Sequence, residues 1–407
     1  MKILRYKNTH YQIAIRLGVI VFSFLIPSGV FAIEMNTYGK LGVLGSLDFG
    51  TARSSYTGVL AYAGADFKHD NGFRWGIGAI GSFTPWEQRS GVSNALNTGD
   101  AAEAYIGFQG DSLIVLAGRF CNEFMKFEWL QGNVQGVSLR FKRFNKYESN
   151  AAYWLTYANS YLYNGKQQSA LGDKIATDLM GLVSYNGNGL QKNNVFGSGE
   201  MVVFGVDFRR GNSLLQPYAL FHSNVSGSLL AQGGLQIKIG DIEGESSHSL
   251  ASLYAIYQYW DKPASNANTV LMWWDQSIAL EGSFWFGFGI AGVVGDEHSY
   301  FYSLSDASKF YGRSFAPSNF APYFAGKSMY GYIYEGLDFG SVRADILASF
   351  GTYNEYSIMV SMIVWQKEAM KFEFGLGYAY IKTRPYWSLD SGIGTGNALK
   401  AFVKFSY

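Results

Sequence analysis

The chain has few of the residues that build redox or metal centres. Its 407 residues include a single cysteine, Cys121, and five histidines. One cysteine excludes an internal disulfide and any cluster of cysteine ligands. The histidines are dispersed along the chain, and the serine-flanked His248 falls at a predicted short turn. We therefore predict no metal site, no cofactor and no enzymatic activity.

Long apolar runs and an excess of positive charge are also lacking. After residue 32, no apolar run reaches the about 20 residues that a membrane-spanning helix needs. Without residues 1–32, the chain has 28 Lys+Arg against 31 Asp+Glu, a net charge of −3. This mildly acidic balance argues against a nucleic-acid-binding protein.

The first 32 residues have the three parts of a secretory signal. Lys2, Arg5 and Arg16 belong to a basic start, residues 17–26 are almost entirely apolar, and Ala32 ends a small-residue cleavage pattern. We predict cleavage after Ala32, which leaves one domain from residue 33 to residue 407. The alternative is a retained membrane anchor, although the apolar core is short for one.

What the chain has in abundance favours β-strands. It contains 49 glycines, 29 tyrosines and 31 phenylalanines but only seven prolines. Residues 57–68 and 73–84 alternate between apolar and polar side chains, and the turn sequence Asp70-Asn71-Gly72 joins them. Similar short turns follow near residues 110, 145, 209–212, 240–247, 281, 339 and 366–369.

Eight such hairpins, an opening strand near residues 38–47 and a closing strand predict eighteen strands, or sixteen if one hairpin is miscounted. In the closing strand, Leu399, Val403 and Tyr407 share an apolar face, while Lys400 and Lys404 lie on the opposite face. Because lipid offers no partner to an open sheet edge, we predict an all-β, closed, antiparallel transmembrane barrel in the bacterial outer membrane. A soluble β-sandwich or solenoid is the alternative.

An even number of strands places both termini and the short turns on the periplasmic side. Phe141, Phe208 and Phe372 flank three of these turns and predict an aromatic girdle. The long connections then become extracellular loops. We expect them at residues 85–99, 119–133, 160–198, 261–273, 295–327 and 383–396.

The polar face of the predicted wall determines what the barrel could pass. A lumen of about eighteen strands is too wide for wall side chains alone to fill it. Basic residues on that face would favour anionic solutes. The predicted lumenal cations are Arg74, Arg140, Lys142, Arg343, Lys400 and Lys404. In the alternative interpretation, they pair across strands with the interspersed acids Asp66, Glu103, Asp207, Asp345 and Glu373.

The connection at residues 119–133 is the one we expect to fold inward, because it carries apolar residues and both charge signs. Residues 116–119, Leu-Ala-Gly-Arg, and residues 130–137, Leu-Gln-Gly-Asn-Val-Gln-Gly-Val, are similar to the Gly-Arg, loop and glycine-containing return of the OprD family of outer-membrane porins. They resemble the ε-proteobacterial relatives of that family most.

This resemblance implies an eighteen-stranded monomeric barrel, a constriction built by inward loops and a ladder of basic side chains. It also implies uptake of small carboxylate-bearing solutes. Arg119 takes the family's Gly-Arg position, and Arg140 and Lys142 fall on the strand where basic residues are expected. The loop acids Glu123 and Glu128 argue against strong anion selectivity.

Two functions from different classes follow. The first is a porin for passive diffusion of small hydrophilic solutes, with a preference for anionic or carboxylate-bearing ones left open. The second is an adhesin or receptor that uses the barrel to present its loops. The expected partners are outer-membrane lipid and lipopolysaccharide, small polar solutes, and the barrel-assembly machinery, whose signal the strand ending in Tyr407 resembles.

Overall fold

The computed structural model describes the barrel wall and part of its connections. It covers residues 33–50, 55–88, 98–121, 133–144, 149–163, 183–186, 189–190, 200–225, 228–242, 248–261, 268–280, 283–296, 299, 301, 324–382 and 395–407. The predicted signal at residues 1–32 lies outside the described residues. Within these ranges, no helix is long and apolar enough to cross a bilayer.

Twenty strands follow one another along the chain. They are β1 (Ile33–Gly50), β2 (Tyr56–His69), β3 (Phe73–Glu87), β4 (Thr98–Gln109), β5 (Leu113–Cys121), β6 (Asn133–Phe144), β7 (Ser149–Tyr163), β8 (Val183–Asn186), β9 (Gly189–Leu190), β10 (Met201–Arg210), β11 (Ser213–Val225), β12 (Ser228–Gly240), β13 (His248–Trp260), β14 (Thr269–Leu280), β15 (Phe284–Val294), β16 (Ser328–Asp338), β17 (Val342–Gly351), β18 (Asn354–Lys367), β19 (Met370–Lys382) and β20 (Gly396–Ser406).

Eighteen of these strands form one closed antiparallel barrel, as the sequence predicts. The short strands β8 and β9 belong to the connection between β7 and β10, which pair directly with each other. The ring closes where β1 pairs with β20. This seam extends to the last residue, since the Tyr407 amide donates to the Gly39 carbonyl at 3.0 Å and the Gly39 amide donates to the Tyr407 main-chain oxygen at 2.9 Å.

The eight predicted hairpins are all confirmed by the pairing of β2 with β3, β4 with β5, β6 with β7, β10 with β11, β12 with β13, β14 with β15, β16 with β17 and β18 with β19. The long connections lie at the opposite end of the barrel. Several predicted loop boundaries are wrong. The loop at residues 261–273 ends earlier, because β14 begins at Thr269. Thr269, Leu271 and Trp273 alternate with exposed neighbours and belong to the wall. The loops at residues 85–99, 119–133 and 160–198 begin later, because β3, β5 and β7 extend to Glu87, Cys121 and Tyr163.

The wall has an apolar outer face and a mixed inner face. Exposed side chains alternate with buried ones along β14, where Met272 is 55% exposed and Trp273 is 1% exposed. Phe141, Phe208 and Phe372 are exposed beside the short turns, as predicted for a girdle. On β20, Leu399 and Val403 face outward, while Lys400 and Lys404 are buried on the inner side. Such a wall suits a surrounding of lipid and a polar lumen.

Many inner-face aromatic rings lie across a glycine of the neighbouring strand. Tyr218 of β11 covers Gly234 of β12, and Phe402 of β20 covers Gly375 of β19. In each case a side chain on the glycine would fall inside the ring. These glycines therefore let bulky rings lie against the wall. Further pairs of this kind are Tyr105 with Gly76, Trp154 with Gly205, Tyr332 with Gly289 and Tyr334 with Gly287.

Two adjacent glycines of β12 give a matched test of this packing. Gly234 touches the Tyr218 ring, whereas Gly233 has open space where a side chain would begin. Gly234→Ala is expected to destabilise the barrel by about 1–3 kcal/mol through overpacking. Gly233→Ala is expected to change stability by about 0.5 kcal/mol or less. Urea unfolding followed by electrophoretic mobility measures both, and equal stabilities of the two variants would contradict the packing.

Candidate functional site

A cavity lined by charged and polar side chains lies near the short-turn end, on the inner side of β1 to β6. Its volume is about 550 Å³. Acidic and basic side chains both line it. The charged and hydroxyl-bearing side chains discussed below are Tyr38, Asp66, Arg74, Glu103, Arg140 and Lys142.

Glu103 on β4 is the buried acid of this cavity. Two tyrosine hydroxyls donate to its carboxylate, one from Tyr38 of β1 and one from Tyr62 of β2, the latter at 2.6 Å. The two rings also contact each other, with centroids 5.4 Å apart. Hydrogen bonds from two hydroxyls satisfy a carboxylate that would be costly to bury alone.

Arg74 is the first predicted cation that proves to be paired. Its Nε donates to Asp66 Oδ1 at 2.8 Å, and a second guanidinium nitrogen forms an ion pair with the other oxygen of Asp66. Its Nη1 donates to Gln109 Oε1 at 2.6 Å. The Tyr105 hydroxyl also donates to Asp66. This fork-like contact holds the Arg74 charge against the wall.

Arg140 is paired more deeply. It forms an ion pair with Asp207, and their side chains are only 6% and 9% exposed. Trp154 Nε1 and Gln216 Nε2 donate to the same aspartate, at 2.8 and 2.7 Å. These four residues lie on β6, β10, β7 and β11, so one carboxylate joins four successive strands of the ring.

The remaining predicted cations of the wall lie away from this cavity. Arg343 Nε is 2.8 Å from Asp338 Oδ2, and Lys404 Nζ is 2.8 Å from Glu373 Oε2. The Lys404 ammonium also lies 5.8 Å from the centre of the Phe402 ring. Lys400 is buried on the inner face of β20. Four of the predicted cations thus have acidic partners, which matches the alternative interpretation of the sequence.

Lys142 differs from the other cations of the cavity. Its side chain is partly exposed on the inner face of β6. Within the part of the chain that the structure describes, no carboxylate lies within ion-pair distance of its ammonium group. Arg74 and Arg140 are each neutralised by an adjacent carboxylate, so among the cavity cations Lys142 exerts the strongest electrostatic attraction on an anionic solute.

Arg119 does not line the cavity. The next residue, Phe120, packs edge-on against Tyr105, with ring centroids 6.5 Å apart. Arg119 Nε donates to Gln135 Oε1 at 2.6 Å, and its Nη1 donates to the Ala101 carbonyl at 2.9 Å. The acids Glu123 and Glu128 of the predicted inward loop lie outside the described residues, as do all of residues 122–132.

The sequence interpretation missed an aromatic cluster on the far side of the ring. Trp273 Nε1 donates to the Tyr332 hydroxyl at 2.8 Å, and that hydroxyl donates to the buried Asp275. Phe324, from the connection between β15 and β16, lies 6.4 Å from the Trp273 ring. Phe301 of the same connection donates its amide to the Phe324 carbonyl at 2.9 Å. A signal for this cluster was present in the sequence, because Tyr330, Tyr332 and Tyr334 are spaced two residues apart on β16 and therefore share one face.

The fold and the wall together define a closed transmembrane β-barrel of eighteen strands. No family model matches the chain, and no curated protein does.

Solved structures do match. The barrel is similar to Pseudomonas aeruginosa OpdK, solved with vanillate, at 11% identity and a TM-score of 0.63 over 92% of this chain and 98% of that one. Acinetobacter baumannii OccAB1 matches at 11% identity and a TM-score of 0.60, over 92% of this chain and 96% of that one. Pseudomonas aeruginosa OprD matches at 8% identity and a TM-score of 0.55, over 92% of this chain and 94% of that one. These neighbours belong to the OprD/Occ porins, and the likeness establishes the fold.

The pair of Arg140 and Asp207 can be tested by a double-mutant cycle. Asp207→Asn removes the acid and leaves a buried guanidinium without its counter-charge, so we expect a loss of about 3–5 kcal/mol in unfolding free energy. The double variant Arg140→Gln/Asp207→Asn should lose less than the sum of the two single variants.

Asp338→Asn is the matched control, because the side chains of Arg343 and Asp338 are 22% and 14% exposed and water screens that pair more. Denaturant unfolding of the purified barrel measures all four variants. A strictly additive cycle would show that the Arg140 and Asp207 charges do not stabilise each other.

Proposed function

We propose that the chain forms a channel in the bacterial outer membrane through which small hydrophilic solutes diffuse passively. One observation carries the proposal: a closed barrel with an apolar outer face has a lumenal cavity of about 550 Å³ lined by charged and hydroxyl groups. Such a lining replaces part of the hydration of a passing solute. The proposal includes no catalytic step.

The preferred solute is proposed to be small and to carry a carboxylate, with only weak selectivity for anions. The weak preference follows from the wall, where Asp66, Asp207 and Glu373 offset three of the basic residues. Lys142 adds a positive charge to the cavity, and the carboxylate of Glu103, which two neutral hydroxyls bind, balances it overall. The OpdK channel was solved with vanillate, an aromatic carboxylate, and we extend that chemical class to this chain.

Several further parts of the proposal rest on the sequence. They are export by a signal cleaved after Ala32, relatives in the ε-proteobacteria, and assembly through the barrel-assembly machinery by the strand that ends in Tyr407. Outer-membrane lipid and lipopolysaccharide would surround the wall. The bases for these statements are the basic and apolar leader, the loop motif at residues 116–137 and the aromatic C-terminal strand.

Conductance separates the channel from the competing function. The purified protein in a planar lipid bilayer is expected to give discrete ion-conducting steps, because water and ions fill a polar lumen. An adhesin or receptor that only presents its loops needs no open lumen. Absence of unitary conductance above that of the detergent buffer would contradict the channel proposal.

Charge reversal at Lys142 tests which cation sets selectivity. Lys142→Glu is expected to lower the anion/cation permeability ratio roughly thirtyfold, since two units of charge about 8 Å from an ion in water contribute about 1 kcal/mol, with opposite signs for the anion and the cation. Arg119→Glu is the matched control, because Arg119 does not line the cavity. Reversal potentials in a salt gradient measure both ratios. A larger shift for Arg119→Glu would restore the pore position that the sequence predicts for Arg119.

A further inference from the structure

A groove on the outer face lies at the short-turn end of β6, β7, β10, β11 and β12. Its volume is about 610 Å³. One cross-strand row forms its floor and contains, in order, Arg143, Ala151, Phe208, Leu215 and Ile237. This groove is separate from the lumenal cavity, with which it shares no lining residue.

The depth of the groove comes from a small residue between two large ones. Ala151 stands between Arg143 and Phe208 in the same cross-strand row. Beside this gap, Tyr153 and Ile239 are exposed on the outer face. The groove thus has an apolar floor that continues the lipid-facing surface of the barrel.

Three arginines line the groove, and the two exposed ones, Arg143 and Arg210, stand at its rim, while Arg209 is only partly exposed. Arg143 and Arg210 are both exposed, and among the residues described neither forms an ion pair. Arg143 is on β6 and Arg210 on β10, and β7 lies between these strands, so the two backbones are about 10 Å apart across the sheet. Along β10, Arg210 lies two residues beyond Phe208, on the side of the short turn to β11. Side chains of this length can therefore converge on one anion from both sides.

We propose that this groove binds an anionic phospholipid of the periplasmic leaflet. The lipid phosphate lies between Arg143 and Arg210, and an acyl chain lies along Phe208 and Leu215 in the space above Ala151. The charge complementarity selects a phosphate, and the apolar floor selects the acyl chain that a free phosphate lacks. The inference rests on the proposed location and orientation of the barrel in the outer membrane.

Native mass spectrometry of the detergent-purified, full-length barrel with dioleoyl phosphatidylglycerol tests the site. The wild-type barrel is expected to retain one lipid, and Arg143→Gln/Arg210→Gln is expected to bind it at least tenfold more weakly, because two charges near the lipid phosphate are lost. Ala151→Phe fills the groove without changing charge, and it should weaken binding to a similar degree.

Lys367→Gln is the matched control, since Lys367 is an exposed cation of β18 outside the groove. It should bind as the wild type does. Each variant is first checked for the faster electrophoretic mobility of the unheated, folded barrel.

Three results would overturn the site: wild-type affinity in the double arginine variant, wild-type affinity in Ala151→Phe, or complete displacement of the lipid by millimolar inorganic phosphate. The last result would indicate a site for free phosphate. Bilayer conductance is measured separately, so a barrel that binds the lipid but carries no current contradicts only the channel. A conducting barrel without lipid binding contradicts only this site.

Discussion

The structure depends on one constraint: within lipid, every backbone amide and carbonyl needs a partner in the protein itself. A sheet can meet this demand only when its first and last strands pair. Here the pairing of β1 with β20 joins eleven residue pairs, and the hydrogen bonds of Tyr407 with Gly39 extend the pairing to the end of the chain. Once the ring is closed, the alternation of side chains sends every second residue into the lumen, whatever its chemistry.

The inner wall accommodates those residues in two ways. Carboxylates that would be costly to bury are shared among several donors, as Glu103 is between Tyr38 and Tyr62. Large rings lie flat over glycines of the next strand, as Phe402 does over Gly375. Both arrangements keep side chains close to the wall. The polar cavity at one side and the aromatic cluster at the other are local outcomes of these two kinds of packing.

Much of the fold could be predicted from the sequence, because period-two alternation and short polar turns are local signals. The hairpin around Asn71 and the inward position of Lys404 needed no knowledge of distant strands. The charge pairs were harder to predict. Arg140 meets Asp207, 67 residues away, only because β10 follows β7 in the ring, and the sequence does not state that neighbour relation. The surroundings of Arg119 were hard to predict for a different reason: the left-handed Gly118, with φ of 115°, precedes it near the end of β5, and its partners Gln135 and the Ala101 carbonyl lie on neighbouring strands.

The link that Asp207 forms between its own strand and three others has a consequence for how the barrel can vary. It spans the junction of β7 with β10, where ten residue pairs join strands that are separated by a long stretch of chain. Because the junction is fastened from within the wall, its integrity does not depend on the length or composition of the chain between those strands. That stretch is thus the natural place for insertions that diversify the cell surface or display a foreign peptide while the wall keeps its shape.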